Sequence, residues 1–168
     1  VTLKERDITY QVLKDFDAVI TGVRAYNIHG YLTDRNNDLM EYVKQGGNLI
    51  VQYNTNSFAG PIAAKIGPYQ FNIYRNRVTD QTAPVKVLLP QHPVLNYPNK
   101  ITSKDFEGWI QERGIYFADQ VDSHYKMPLG MNDEGEPEQN GSLIITDYGK
   151  GKFVYTGLVF FRELPAGV

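Results

Sequence analysis

The 168-residue chain contains no cysteine. That absence excludes a disulfide, a zinc-thiolate centre, an iron-sulfur cluster and a thiol nucleophile. A clustered cationic surface is missing too: 17 Lys and Arg stand against 19 Asp and Glu, the formal charge is -2, and no basic run exceeds two residues. Phosphate-backbone affinity needs such a surface, so the chain does not read as a nucleic-acid binder. Long apolar runs are the third absence. Leu49 to Val51 and Leu158 to Phe161 fall far short of the roughly 20 residues of a spanning helix, and nothing at the N-terminus resembles a signal peptide. Opening on Val1 and closing on Val168, the sequence reads as one α/β domain and as a fragment of a larger multidomain polypeptide.

The clearest unit runs from Asp17 to Tyr53. Asp17-Ala-Val-Ile-Thr-Gly-Val23 is a β-branched run without polar alternation, which predicts a strand buried on both faces. A polar segment, 24–37, leads to a helix over 38–45, with Leu39, Met40 and Val43 on one face and Asp38, Glu41, Lys44 and Gln45 toward water. Gly46-Gly47 supplies the stop and Asn48 to Tyr53 a second strand, the pattern of a right-handed βαβ crossover. An imperfect stripe of Leu3, Ile8, Val12, Leu13 and Phe16 suggests a helix over 3–16. Residues 54–84 read as an irregular excursion with a short helix near 61–66, and 85–89 as a strand. Residues 105–114 fit either a helix or a tight surface turn, and 115–121 and 125–129 short strands or extended loops. Ser142 to Asp147, a Tyr148-Gly-Lys-Gly151 turn and Lys152 to Gly157 form a β-hairpin.

Asp17 to Val23, Tyr42-Val-Lys-Gln-Gly-Gly47, Asn48 to Val51, His92-Pro-Val-Leu95 and Gly149 to Gly157 together resemble the class I glutamine amidotransferase-like fold, most closely its ThuA-like group. Gly108-Trp-Ile-Gln-Glu-Arg-Gly114 and Phe160-Phe-Arg-Glu-Leu-Pro-Ala-Gly167 resemble the C-terminal domain attached to bacterial LmbE-like (PIG-L) deacetylases. The resemblance implies a flavodoxin-like three-layer α/β sandwich with a mainly parallel central sheet and a ligand crevice at the carboxyl ends of its strands. Active members carry a cysteine on a strained turn directly after a central strand. Here that segment is Asn54-Thr-Asn-Ser-Phe-Ala-Gly60, with neither cysteine nor a G-x-S-x-G elbow, and the deacetylase zinc string Pro-His-x-Asp-Asp is absent. Zinc-dependent N-deacetylation by a parent protein would therefore lie outside this segment.

The candidate crevice residues are Arg24, Asn27, His29, Asn54 and Asn56. Two readings of them stand: His29 over the crevice beside Asn54 and Asn56 as an acid-base group, or all of them satisfying loop backbone groups. His92, held extended by Pro93, is a general base or a turn residue, and no carboxylate lies near it in sequence. Asp119-x-x-Asp122-x-His124 offers metal donors or a solvated loop, and Asp133-Glu-Gly-Glu-Pro-Glu138 lacks the ligand pattern of a calcium-binding EF-hand loop. The 12 tyrosines and Trp109 suit either a carbohydrate-contacting surface or a core. Arg162 and Glu163 are expected to pair with each other and lock the C-terminal segment.

The function expected is a non-catalytic accessory domain, binding a ligand or docking against other domains of its parent chain. A hydrolase acting on a carbohydrate or amide through non-cysteine crevice residues and a structural assembly module are the alternatives. No catalytic residue, metal or cofactor is assigned, a carbohydrate is the candidate ligand, and the compartment stays open between exported and cytoplasmic.

Overall fold

The computed structural model describes residues 1–56 and 65–167. Where a helix was expected over 3–16, a 3-10 turn at Glu5–Asp7 and a single α-turn, α1 (Tyr10–Leu13), form instead. The apolar spacing there never settles into a 3.6-residue period, and short helices depend on tertiary packing, which the buried Leu13 supplies. β1 (Ala18–Thr21) follows. The segment expected to be a polar loop holds two helical turns, α2 (Ala25–Ile28) and α3 (Tyr31–Asp34), because Tyr26 and Leu32 reach the core. α4 (Asn36–Lys44) begins earlier than its sequence signal and leads into β2 (Asn48–Gln52).

The excursion beyond β2 contains six two-residue strands: β3 (Asn72–Ile73), β4 (Arg77–Val78), β5 (Lys86–Val87), β6 (Gly114–Ile115), β7 (Ala118–Asp119) and β8 (Leu129–Gly130). They pair antiparallel as β3 with β7, β4 with β6 and β5 with β8. Of the helix expected near 61–66, positions 61–64 lie outside the described residues, and Lys65 and Ile66 are non-helical. Over 105–114 the turn alternative is what forms. A 3-10 turn, Ser103–Phe106, gives way to irregular backbone with positive φ at Gly108 and Gln111. The C-terminal hairpin is β9 (Leu143–Tyr148) and β10 (Gly151–Thr156), and α5 (Phe160–Ala166) follows it.

The main sheet has the order β1-β2-β10-β9, with β1, β2 and β10 parallel and β9 antiparallel at one edge. The chain is thus a mixed α/β domain with a largely parallel four-stranded sheet and a C-terminal β-hairpin. Leu49, Val51, Phe153, Tyr155 and Ile144 share one cluster with Leu39, Tyr42 and Val43 of α4. Ile145 and Leu143 join Val78, Leu95, Phe117 and Met131 in a second. Tyr42, absent from the expected apolar face, is almost fully buried and donates its hydroxyl hydrogen to the Phe16 carbonyl at 2.9 Å. Its ring explains Gly47: a Cβ there would stand 2.1 Å from the ring carbon that bears the hydroxyl.

The two edges of the sheet differ. β9 is covered by an antiparallel bridge from Lys126 to Ile145. Among the described residues β1 pairs only with β2, and Ile20 is 62% exposed, so the expectation of a strand buried on both faces is corrected. Its apolar composition meets packing on the Val19 side, while Ala18 and Ile20 face outward. An open groove of about 420 Å³ runs along this strand, lined among others by Leu3, Val19, Ile20, Ile28 and His29.

Candidate functional site

Because β1, β2 and β10 are parallel, the loops that leave them gather at one end of the sheet. Two of these loops are sewn together by backbone and amide hydrogen bonds. The Arg24 N–H donates to the Tyr53 carbonyl at 2.8 Å, and the Tyr26 N–H donates to Asn54 Oδ1 at 2.9 Å. Asn54 Nδ2 donates to the Gln52 carbonyl at 3.0 Å, and no part of the residue is exposed. Asn27 and Thr55 exchange two bonds, the Asn27 Nδ2 donating to the Thr55 carbonyl and the Thr55 N–H to Asn27 Oδ1, each at 2.8 Å. Asn56 Nδ2 donates to the Ile73 carbonyl at 2.7 Å, tying in β3. Arg24, Asn27, Asn54 and Asn56 therefore come together, and the asparagine side chains do loop-fastening work. His29 is drawn elsewhere: its ring is exposed, tilts against Tyr31 at 5.1 Å, lines the groove beside β1, and has no hydrogen bond to the other four among the described residues.

A second set of side chains meets at the same end, and sequence reasoning did not assemble it. Tyr53, the first residue beyond β2, stacks on Tyr116 with centroids 5.5 Å apart and meets Phe161 edge-on, also at 5.5 Å. The Arg162 guanidinium lies 4.9 Å from the Phe161 centroid and 3.5 Å from Glu112 Oε1. Burial pushes the Tyr53 hydroxyl pKa up; the charges of Arg162 and Arg24 pull it down, and Glu112 pushes it up. Arg24, Gln111 and Tyr116 all hold positive φ, at 59°, 68° and 56°. Such backbone costs about 1–2 kcal/mol for a residue with a Cβ and persists only where surroundings impose it.

The two strings flagged in the sequence, 108–114 and 160–167, meet beside this set. Arg162 and Glu163 were expected to pair with each other; instead each reaches across to the other string. Arg162 takes Glu112, while Glu163, 1% exposed, accepts the Ile110 N–H with both carboxylate oxygens at 3.3 and 3.1 Å. On a helix these neighbours point in different directions, so the i,i+1 pair cannot face itself. Arg113, 6% exposed, donates to the Ala83 and Phe106 carbonyls and lies over the Trp109 ring at 5.6 Å. Burial lowers its pKa, and the charges of Asp80 and Glu163 raise it. Gly114 closes the clasp, since a Cβ there would stand 2.6 Å from the Gly157 carbonyl oxygen.

The remaining candidates have partners within the fold. His92 Nδ1 accepts the Val94 N–H at 3.2 Å and caps a 3-10 turn, Pro93–Leu95. Burial and the charge of Lys152 lower its pKa, which favours the neutral ring. His124 Nδ1 lies 2.6 Å from Asp122 Oδ1 and its ring stacks on Tyr69 at 4.0 Å. Within the acidic string, Asp133 accepts hydrogen bonds from Thr79 and Asp80, and Glu138 pairs with Lys86. Among the described residues no three metal-ligating side chains converge, and no helix is long and apolar enough to cross a membrane.

The sequence matches no protein-family model and no curated protein. Two solved structures share its fold. Cytoplasmic Protein STM3548 from Salmonella typhimurium has a TM-score of 0.53 and 16% identity, over 93% of this chain and 64% of that one. Cytoplasmic Protein STM1381 from Salmonella typhimurium LT2 has a TM-score of 0.52 and 16% identity, over 92% of this chain and 67% of that one. The chain thus spans less than two thirds of the length of the first.

Proposed function

We propose that this chain is a non-catalytic, ligand-binding accessory domain of the amidotransferase-like (ThuA-like) kind, with a flavodoxin-like layered fold, in an LmbE-like deacetylase-related bacterial protein. One observation carries the reading. The segment 54–60 after β2, in which the resembled family keeps its nucleophile, opens on Asn54, wholly buried, with its side-chain oxygen and nitrogen each bonded to a backbone partner. Such a residue presents no reactive atom to a substrate, and no cysteine exists to replace it. A hydrolase built on His29 with Arg24 or Asn54 needs those side chains to converge, and the full burial of Asn54 keeps it from a substrate. The test is turnover: purified chain is given glutamine or N-acetylglucosamine, with and without zinc, and ammonia or acetate is measured. No release above the protein-free rate is expected. Sustained turnover that scales with protein concentration refutes the reading.

Assembly is a second reading with its own support, the edge of β1, which has no partner strand among the described residues, and the exposed Ile20 and Ile28 beside it. An open strand edge is a template for another strand, and a strand from a neighbouring domain of the parent chain is the occupant this reading commits to. Ligand binding and assembly use different parts of the molecule and are compatible.

A further inference from the structure

The carboxyl end of the sheet carries a charge that its packing leaves over. The guanidiniums of Arg24 and Arg162 and the carboxylate of Glu112 all act on the Tyr53 hydroxyl, and Glu112 pairs with Arg162. Arg24 is exposed and has no ion pair among the described residues. Arg162 meets Glu112 through one terminal nitrogen, and its Nε is shut off from water without a hydrogen-bond partner. The Arg162 side chain is 34% exposed, so an incoming acceptor meets the rest of the guanidinium and not the enclosed Nε. The Tyr53 hydroxyl, flanked by these charges, makes no hydrogen bond among the described residues either.

Beside the charges stands an apolar wall. Tyr53, Tyr116 and Phe161 are all half-buried; Tyr53 stacks on Tyr116 and stands at 62° to the Phe161 ring. A bare anion would use the guanidiniums and leave this wall idle. A neutral sugar would use the wall and leave the charge idle. A ligand that uses both has a carboxylate, which fits the planar fork of arginine, and a compact ring whose C–H face packs on an aromatic side chain. Its hydroxyl groups then find partners in the Tyr53 hydroxyl and in Glu112.

We propose that this face binds a carboxylated sugar, a hexuronic acid, with its carboxylate toward Arg24 and Arg162 and its ring against Tyr53. The proposal rests on the ligand-binding reading above and names the ligand class for it.

Isothermal titration of the purified chain with glucuronate, glucose and inorganic phosphate at low ionic strength tests it. Glucuronate is expected to bind at least tenfold more tightly than glucose, since one charge-assisted contact is worth about that factor, and at least tenfold more tightly than phosphate, which has no ring to pack on the aromatic wall. Added salt should erode most of the advantage over glucose. Arg24→Gln, at an exposed side chain, should reduce that advantage about tenfold and leave the unfolding midpoint unchanged. Equal affinity for glucuronate and glucose overturns the proposal. Phosphate binding as tightly as glucuronate overturns it as well, by reducing the face to a simple anion site. No binding of any probe also overturns it, while the non-catalytic reading, judged by turnover, still stands. Conversely, glutaminase or deacetylase turnover refutes that reading whatever the titration gives.

Discussion

Replacing Glu163 with alanine strikes the clasp between the two ends of the crevice. The carboxylate is 1% exposed, accepts the Ile110 N–H with both oxygens, and supplies negative charge near the buried Arg113. Truncation leaves the N–H without its acceptor and takes the counter-charge from a guanidinium whose hydrogen bonds go to neutral carbonyls. A hydrogen bond to a charged group contributes about 1.5–3 kcal/mol, and removing one partner of a buried charged arrangement costs about 3–5 kcal/mol. A loss of about 3 kcal/mol is expected, because Arg113 keeps its carbonyl partners. For a chain of this length that lowers the unfolding midpoint by about 6–12 °C. Glu163→Gln separates the two contributions in large part: its amide oxygen still accepts from Ile110, so the charge and one of the two acceptor oxygens are lost, and about half of the destabilisation should appear. Urea unfolding of the three proteins, read as midpoint and slope, measures this. If both variants fall within about 0.5 kcal/mol of the unsubstituted chain, the surface norm, the clasp does not hold the crevice and the reasoning fails.

Ile20→Lys puts a charge on the outward face of β1, so the isolated chain should lose no more than about 0.5 kcal/mol in urea unfolding; a loss above about 2 kcal/mol would mean the face is already covered, leaving no open strand for a neighbouring domain to cover. Asp122 accepts hydrogen bonds from the His124 backbone and ring, which hold its carboxyl below the usual range. A depressed carboxyl contributes stability above its unfolded value of about 3.9, and loses it as the pH falls through the folded value. In His124→Ala the Asp122 carboxyl, followed by NMR, should titrate at a higher pH; an unchanged midpoint would show that the backbone N–H alone sets it.

The βαβ unit and the hairpin were legible because their signals are local. Apolar runs of strand length, a helical stripe ending in Gly46-Gly47, and Gly149 at a φ of +63° in the turn report on neighbours a few residues away. The excursion was legible only as irregular. Its strands are two residues long and pair with partners far along the chain, so no periodicity could reveal them. At the crevice, the sequence left the asparagines open between ligand contact and loop fastening. A side-chain amide looks the same in sequence whether it faces a ligand or fastens a loop, and burial decided for Asn54.

The sequence by itself determined the chemistry this chain lacks. Without cysteine it has no thiolate, and without a spanning apolar run it has no such membrane helix; both follow from residue types, which folding cannot add. It also determined the order of the strand, helix, strand and hairpin that carry the sheet. Only the tertiary structure decided that Arg162 and Glu163 part company toward Glu112 and Ile110, that Tyr53, Tyr116 and Phe161 share a wall, and that β1 ends the sheet. These outcomes depend on long-range packing and on which backbone donors are left to be satisfied, and neither is written in the neighbouring residues.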